Sequence, residues 1–271
     1  MNNNENMLSM FPRKLRKYWL VWWTSAKLSL SSNMATRGAS GLFILGKLFR
    51  FGAFVYFLFV LGGGVNEVSG YNLSALIIFF LVFNLFDLFG QLFFRGIYRF
   101  RQQVVSGEFD FRLVKPISPL FQALTRHTDF LDIPLLLMVI VALVGNIDLV
   151  PAGSWWIFGL VSLAGFILIT AIHVVVASLG VITTEVDHSI MIYRDLAMMA
   201  RFPVDIYTDA IRGLLTFVIP IAIIFTYPAK AFLGLLTWEN GLVAFGVSLV
   251  FLYISLKLWR YALTQYSSAS S

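Results

Sequence analysis

Long apolar runs alternate with short polar segments along almost the whole of this chain. Six runs stand out, at residues 42–61, 73–94, 130–150, 155–183, 213–227 and 241–259. About 20 helical residues cross the hydrocarbon core of a bilayer, so the pattern predicts an all-α integral membrane protein with six transmembrane helices. The first run closes on Gly62, Gly63 and Gly64, and Pro151 with Gly153 makes the turn between the third and fourth. The fourth run is longer than a bilayer demands, so it must tilt or project beyond the membrane. Residues 95–126 are polar where their surroundings are apolar, and Gly107, Pro116 and Pro119 punctuate them. Residues 184–212 form a second polar segment. Before the last run, residues 227–240 are too apolar for a free aqueous loop. Pro228 can start a turn beside Tyr227 and Gly234 can break the next, which predicts an extracellular re-entrant or interfacial element.

Ahead of the first run, residues 11–30 mix Arg13, Lys14, Arg16 and Lys17 with Trp19, Trp22 and Trp23. Trp beside Lys and Arg is the composition of the membrane boundary, so an N-terminal interfacial amphipathic helix is expected. Residues 1–9 are Asn-rich and offer no apolar stretch for a cleavable signal peptide. The chain thus divides into a cytoplasmic N-terminus with its interfacial helix (1–41), a six-helix membrane domain (42–266) and a polar tail (267–271).

Composition agrees: 59% of residues are hydrophobic and 13% charged, far from the balance of a soluble domain. Charge adds orientation. Of 20 Lys and Arg residues, 8 precede or open the first run, 6 fall in 95–126, 3 in 184–212 and 2 near the C-terminus, leaving Lys230 alone on the other side. By the positive-inside rule both termini and both polar segments are cytoplasmic, while 63–72, the Pro151 turn and 228–240 face outward. The net charge of +6 flanks apolar runs and forms no single polar surface, so its partner is the lipid bilayer and not nucleic acid. With no cysteine, disulfides and thiolate metal sites are excluded.

Chemistry-bearing motifs are few. Gly41, Gly46 and Lys47 have the spacing of a phosphate-binding loop, but Leu48 stands where the Mg²⁺-binding Ser or Thr belongs and the residues between are apolar. His127, His173 and His188 are scattered over different segments, so neither a metal site nor a catalytic centre is expected. In the second run Asn84, Asp87 and Gln91 recur at spacings of three and four and share a helix face. A carboxylate there must meet protein or water. It lines a substrate path or holds neighbouring helices together. Thr170, His173, Ala177 and Gly180 form a stripe suited to close helix packing. In the central segment, Gly107 can end a helix running down from the second run. Glu108 and Asp110 then occupy the first turn of a new element, which Pro116 and Pro119 stop.

Three stretches carry a family likeness: residues 104–124 (VVSGEFDFRLVKPISPLFQAL), residues 201–234 (RFPVDIYTDAIRGLLTFVIPIAIIFTYPAKAFLG), and the W-x-x-A-L-x-x-Y of residues 259–266. On these the chain resembles the bacterial ABC-2-type permeases, the membrane subunits of type-2 ABC exporters. The resemblance implies a half-transporter of the bacterial inner membrane that pairs with a second permease, as homodimer or heterodimer, and with a separate ATP-binding subunit. It places a coupling helix within residues 102–121, so Gly107, Glu108, Phe109, Asp110, Phe111, Arg112 and Pro116 would meet the ATPase. It also implies that this chain binds no cofactor, ATP and Mg²⁺ belonging to the partner. The cargo stays open among drugs, lipids, peptides and glycans. Two other readings are a non-transporting membrane scaffold and an ion-coupled carrier or channel. A carrier would show more buried charge and internal repeats.

Overall fold

The computed structural model describes residues 13–35, 37–64, 67–183 and 189–267. The Asn-rich start, His188 and residues 268–271 of the tail lie outside the described residues. Regular structure is helical, and among the described residues the strand-like feature is an isolated bridge between Val68 and Tyr71.

Helix α1 covers Arg13–Ala35 and α2 Arg37–Gly64. After a short turn α3 runs over Leu73–Phe94, started by Asn72, whose side chain accepts from the Ala75 N–H at 2.9 Å. It continues through a 3₁₀ turn, Arg95–Arg99, into α4, Phe100–Val105. Two short helices follow, α5 (Asp110–Leu113) and α6 (Pro119–Thr125), then α7 (Ile133–Val144) and the long α8 (Trp155–Ile182). The chain goes on through α9 (Ser189–Met199), α10 (Asp209–Gly213) and α11 (Tyr227–Phe232) to α12, Trp238–Gln265. The Thr237 hydroxyl caps α12 by accepting from the Asn240 N–H at 3.4 Å. Four helices are long and apolar enough to cross a membrane, or up to six if each of two bent pairs counts as one span.

The core forms where α3 and α8 meet the segment before α11, with Phe83, Phe86, Leu168, Ile224 and Phe225 buried there. Gly165 permits this approach: a Cβ on it would stand 2.9 Å from the Phe86 ring and 3.1 Å from the Ile224 carbonyl oxygen. Helix α12 lies along α8 and buries small residues, Gly241, Ala244, Ser248 and Ser255, the composition that lets apolar helices approach closely in a bilayer. Helix α2 stands apart: 6% of its spanning window is buried, against 61% for α3.

Two runs depart from the expected single helices. In the third, α7 has 12 residues, about 18 Å of helix, so the run reaches span length only with α6 and the turn at Phe130–Asp132, across a 46° bend. The fifth run is broken at Pro220. That residue has no N–H and holds Ile219 extended, at φ −118° and ψ 96°. Two π-helical turns, Leu214–Val218 and Ala222–Thr226, flank the break, and the halves meet at 84°.

The larger correction concerns residues 184–212, expected to stay on the cytoplasmic side. Their described part climbs the length of α3. Near its start Arg194 lies over the Tyr98 ring at 5.6 Å, and Tyr193 packs on His173 at 5.6 Å. Further on, Arg201 lies 5.7 Å from the Phe83 ring at mid-α3, and Phe202 packs on Phe54 at 5.6 Å. Asp205 then accepts a hydrogen bond from the Tyr71 hydroxyl, just ahead of α3, at 2.8 Å. The same carboxylate pairs with Lys230 at 2.7 Å. Asp205 and Lys230 were expected on opposite sides of the membrane, which a 2.7 Å pair forbids.

Candidate functional site

The central segment is a packed body. Where α4 ends, Gly107 takes φ +75°, the left-handed conformation that glycine adopts without steric cost. The chain reverses, and Phe109 is buried completely, edge-on to Phe100 at 5.3 Å and to Tyr266 at 5.1 Å, with Trp259 at 6.3 Å. Tyr266 donates from its hydroxyl to Asp110 Oδ1 at 2.8 Å, and burial together with that carboxylate pushes the phenol up to about 12. Arg112 is 1% exposed, donates to the Gln103 side-chain oxygen and lies 5.9 Å from the Phe100 ring. Burial, with the charge of Arg126, lowers its guanidinium to about 10, so it stays charged at neutral pH. The Trp259, Ala262 and Tyr266 of the closing motif thus face this segment and hold it.

Helix α1 holds the other side. Lys17 donates to the Pro116 carbonyl at 2.7 Å, the Ser118 N–H donates to the Tyr18 hydroxyl at 3.3 Å, and Tyr18 packs edge-on to Phe121 at 4.8 Å. Pro119, expected to stop an element, instead begins α6 behind the Ser118 cap. Proline suits a first helical turn because its missing N–H has no partner to lose there. The expected coupling residues therefore divide. Phe109 and Arg112 face inward, whereas Glu108 and Pro116 are exposed, and Phe111 and Val114 are 71% and 82% exposed. An apolar patch rests on a polar handle.

Of the shared face on α3, the structure joins two members. Gln91 donates to Asp87 Oδ2 at 2.8 Å, while Asn84 donates to the Phe80 carbonyl of its own helix at 2.7 Å. The charges of Arg194, Lys47 and Arg50 act on Asp87. These cations line a cleft of about 320 Å³ with Gln91 and Arg95. Phe43 and Arg95 also line a second cavity of about 570 Å³, where Arg99, Arg126, His127 and Asp129 stand. Lys47 is ion-paired with Asp132, and Arg95 Nε lies 3.7 Å from Asp129 Oδ2.

The Asp205–Lys230–Tyr71 cluster ties the segment before α12 to the start of α3. Tyr227 is half-buried and Pro228 is buried in the first turn of α11. Gly234 takes φ +70°, and a Cβ there would lie 2.5 Å from Pro151. His173 is buried and hydrogen-bonds the Ile169 carbonyl of its own helix at 2.7 Å. No group of His, Asp or Glu suited to a metal occurs among the described residues.

The basic cleft and the Asp205 cluster were missed in the sequence. Lys47 and Arg50 fall inside the first apolar run at a spacing of three, and cations within such a run are themselves a signal. Counting them as cytoplasmic charge hid it.

These features define a class: a helical membrane protein of several spans whose central polar segment packs against its last helix. Residues 48–270 match the model of a family described as ABC-2 family transporter protein. The chain belongs to that family of membrane permeases. No curated protein and no solved structure matches it.

Proposed function

We propose that this chain is the permease subunit of an ATP-driven exporter of the bacterial inner membrane. It pairs with a second permease and with separate ATP-binding subunits, which hold ATP and Mg²⁺, and it moves cargo out of the cytoplasm. Six crossings carry it, with residues 189–206 as the fifth and residues 209–232 as the re-entrant element on the outer side. Helix α1 lies in the inner headgroup region, and both termini are cytoplasmic. The fifth crossing leaves most of the basic residues inside, in keeping with the positive-inside rule.

The observation that carries this reading is the division within 107–116. For ATP binding in one protein to move helices in another, the contact must be stiff and must bias two arrangements of the membrane helices. Buried Phe109, backed by Trp259 of α12, and buried Arg112, held by Gln103, supply stiffness; Phe111 and Val114, apolar and exposed, supply a surface to grip. The chain has no cysteine, so single thiols report cleanly. Phe111→Cys should crosslink to the copurified ATP-binding subunit, and Phe109→Cys should not. Crosslinks that arise from residues 194–205 and never from Phe111 would place the coupling element elsewhere.

A further inference from the structure

We infer that the cleft between α2, the C-terminal end of α3 and α9 binds the anionic head of an amphiphile, a lipid-like molecule carrying a phosphate or carboxylate. Its apolar part lies along α2. The cleft and the cavity beside it present Lys47, Arg50, Arg95, Arg194, Arg99 and Arg126, six cations against the carboxylates of Asp87, Asp129 and Asp132. Asp132 matches Lys47 and Asp129 approaches Arg95. Arg50 and Arg194 make no ion pair within 4 Å among the described residues; Asp87 is the carboxylate that their charges act on, and Arg194 also engages Tyr98. Arginine inside an apolar run is costly unless something compensates its charge. A guanidinium fork is well matched to phosphate or carboxylate oxygens.

The surroundings select an amphiphile over a free anion. The lip of the cleft is Leu42, 73% exposed, and Phe49 on the same helix is 79% exposed. Gly46 leaves open space within 4 Å of where its Cβ would be. Little of the spanning window of helix α2 is buried within the chain, which leaves space for an acyl chain beside it. A soluble anion would need the cations and nothing of this apolar wall. An amphiphile uses both, with its head reached from the polar cavity and its tail left at the lipid-facing surface.

This assigns the cargo class of the permease reading and rests on it for that consequence, although binding itself needs no ATPase. The test is native mass spectrometry of the full chain, stripped of lipid and titrated with phosphatidylglycerol and phosphatidylcholine. Phosphatidylglycerol should be retained at least about tenfold better, each arginine contributing about fivefold. Arg50→Gln together with Arg194→Gln should abolish the preference. Arg50 is exposed, so Arg50→Gln alone leaves the fold intact and should lower the preference about fivefold. Lys14→Gln with Arg16→Gln on α1 should leave it unchanged. Glycerol 3-phosphate should compete weakly.

A preference that survives loss of Arg50 and Arg194 overturns the proposal, as does the absence of any preference. Full displacement by glycerol 3-phosphate at equal concentration overturns the amphiphile in favour of a soluble anion. No ATP-binding subunit is present in this measurement, so its failure leaves the permease reading standing, and failure of the Phe111 crosslink leaves the cleft standing.

Discussion

Residues 95–126 and residues 201–234 look alike on paper, for each is a charged, proline-bearing interval between apolar runs. In space they are held differently. The first is gripped from two sides by aromatic side chains of distant helices, Tyr18 on one side and Trp259 with Tyr266 on the other. The second is bent by its own proline and buried in the main core through Ile224 and Phe225, and a polar cluster, Asp205 with Lys230 and Tyr71, ties it to the start of α3. Charge and proline therefore announce a break in an apolar run without saying on which side of a bilayer the break falls. Partners distant in sequence decide that.

The comparison is tested hardest at the aromatic grip. Trp259 is 5% exposed, and Trp259→Ala should cost about 3–5 kcal/mol, the usual loss for a buried Trp. Thermal unfolding in detergent would measure it, and the Phe111 crosslink should disappear with it. Retention of both would mean that the handle is not held by α12.

The Asp205 cluster should respond less. Asp205 and Lys230 are partly exposed, so solvent screens their attraction, and Lys230→Met should lower stability by about 1 kcal/mol. Its placement gives the sharper readout. The single thiols of Asp205→Cys and of Lys230→Cys should each react with an impermeant reagent added outside whole cells. Reaction of the Asp205→Cys thiol from the cytoplasmic side alone would restore the segment to where the charge count puts it.

Much of the helical frame was legible because span length and apolarity are properties of single stretches. Residues 73–94 and 155–183 read as helices, and α3 and α8 occupy them almost to the residue. The fifth run failed for a local reason present in the sequence: Pro220 interrupts it. Residues 189–206 failed for a different one. Arg194, Asp195, Arg201 and Asp205 make them too polar for a span read alone, and the charges of Arg194, Arg201 and Asp205 meet Tyr98, Phe83 and Lys230 only after folding. The same limit applies to the candidate site. Gly107 marked the turn, but which of Phe109 and Phe111 faces inward depends on a tryptophan 150 residues away in the chain.

That separation also sets an order of manufacture. Ribosomes extend a chain at about 5–20 residues per second, so Phe109 leaves the ribosome several seconds before Trp259 and Tyr266 exist to cover it. Until α12 is made, the exposed Phe111 and Val114 stand on a segment without its backing, and a chain cut short before α12 displays Phe109 with that aromatic cover missing. The segment at 107–116 therefore reaches its packed form only after the last helix of the chain has been made, a dependence set by the position of one aromatic motif.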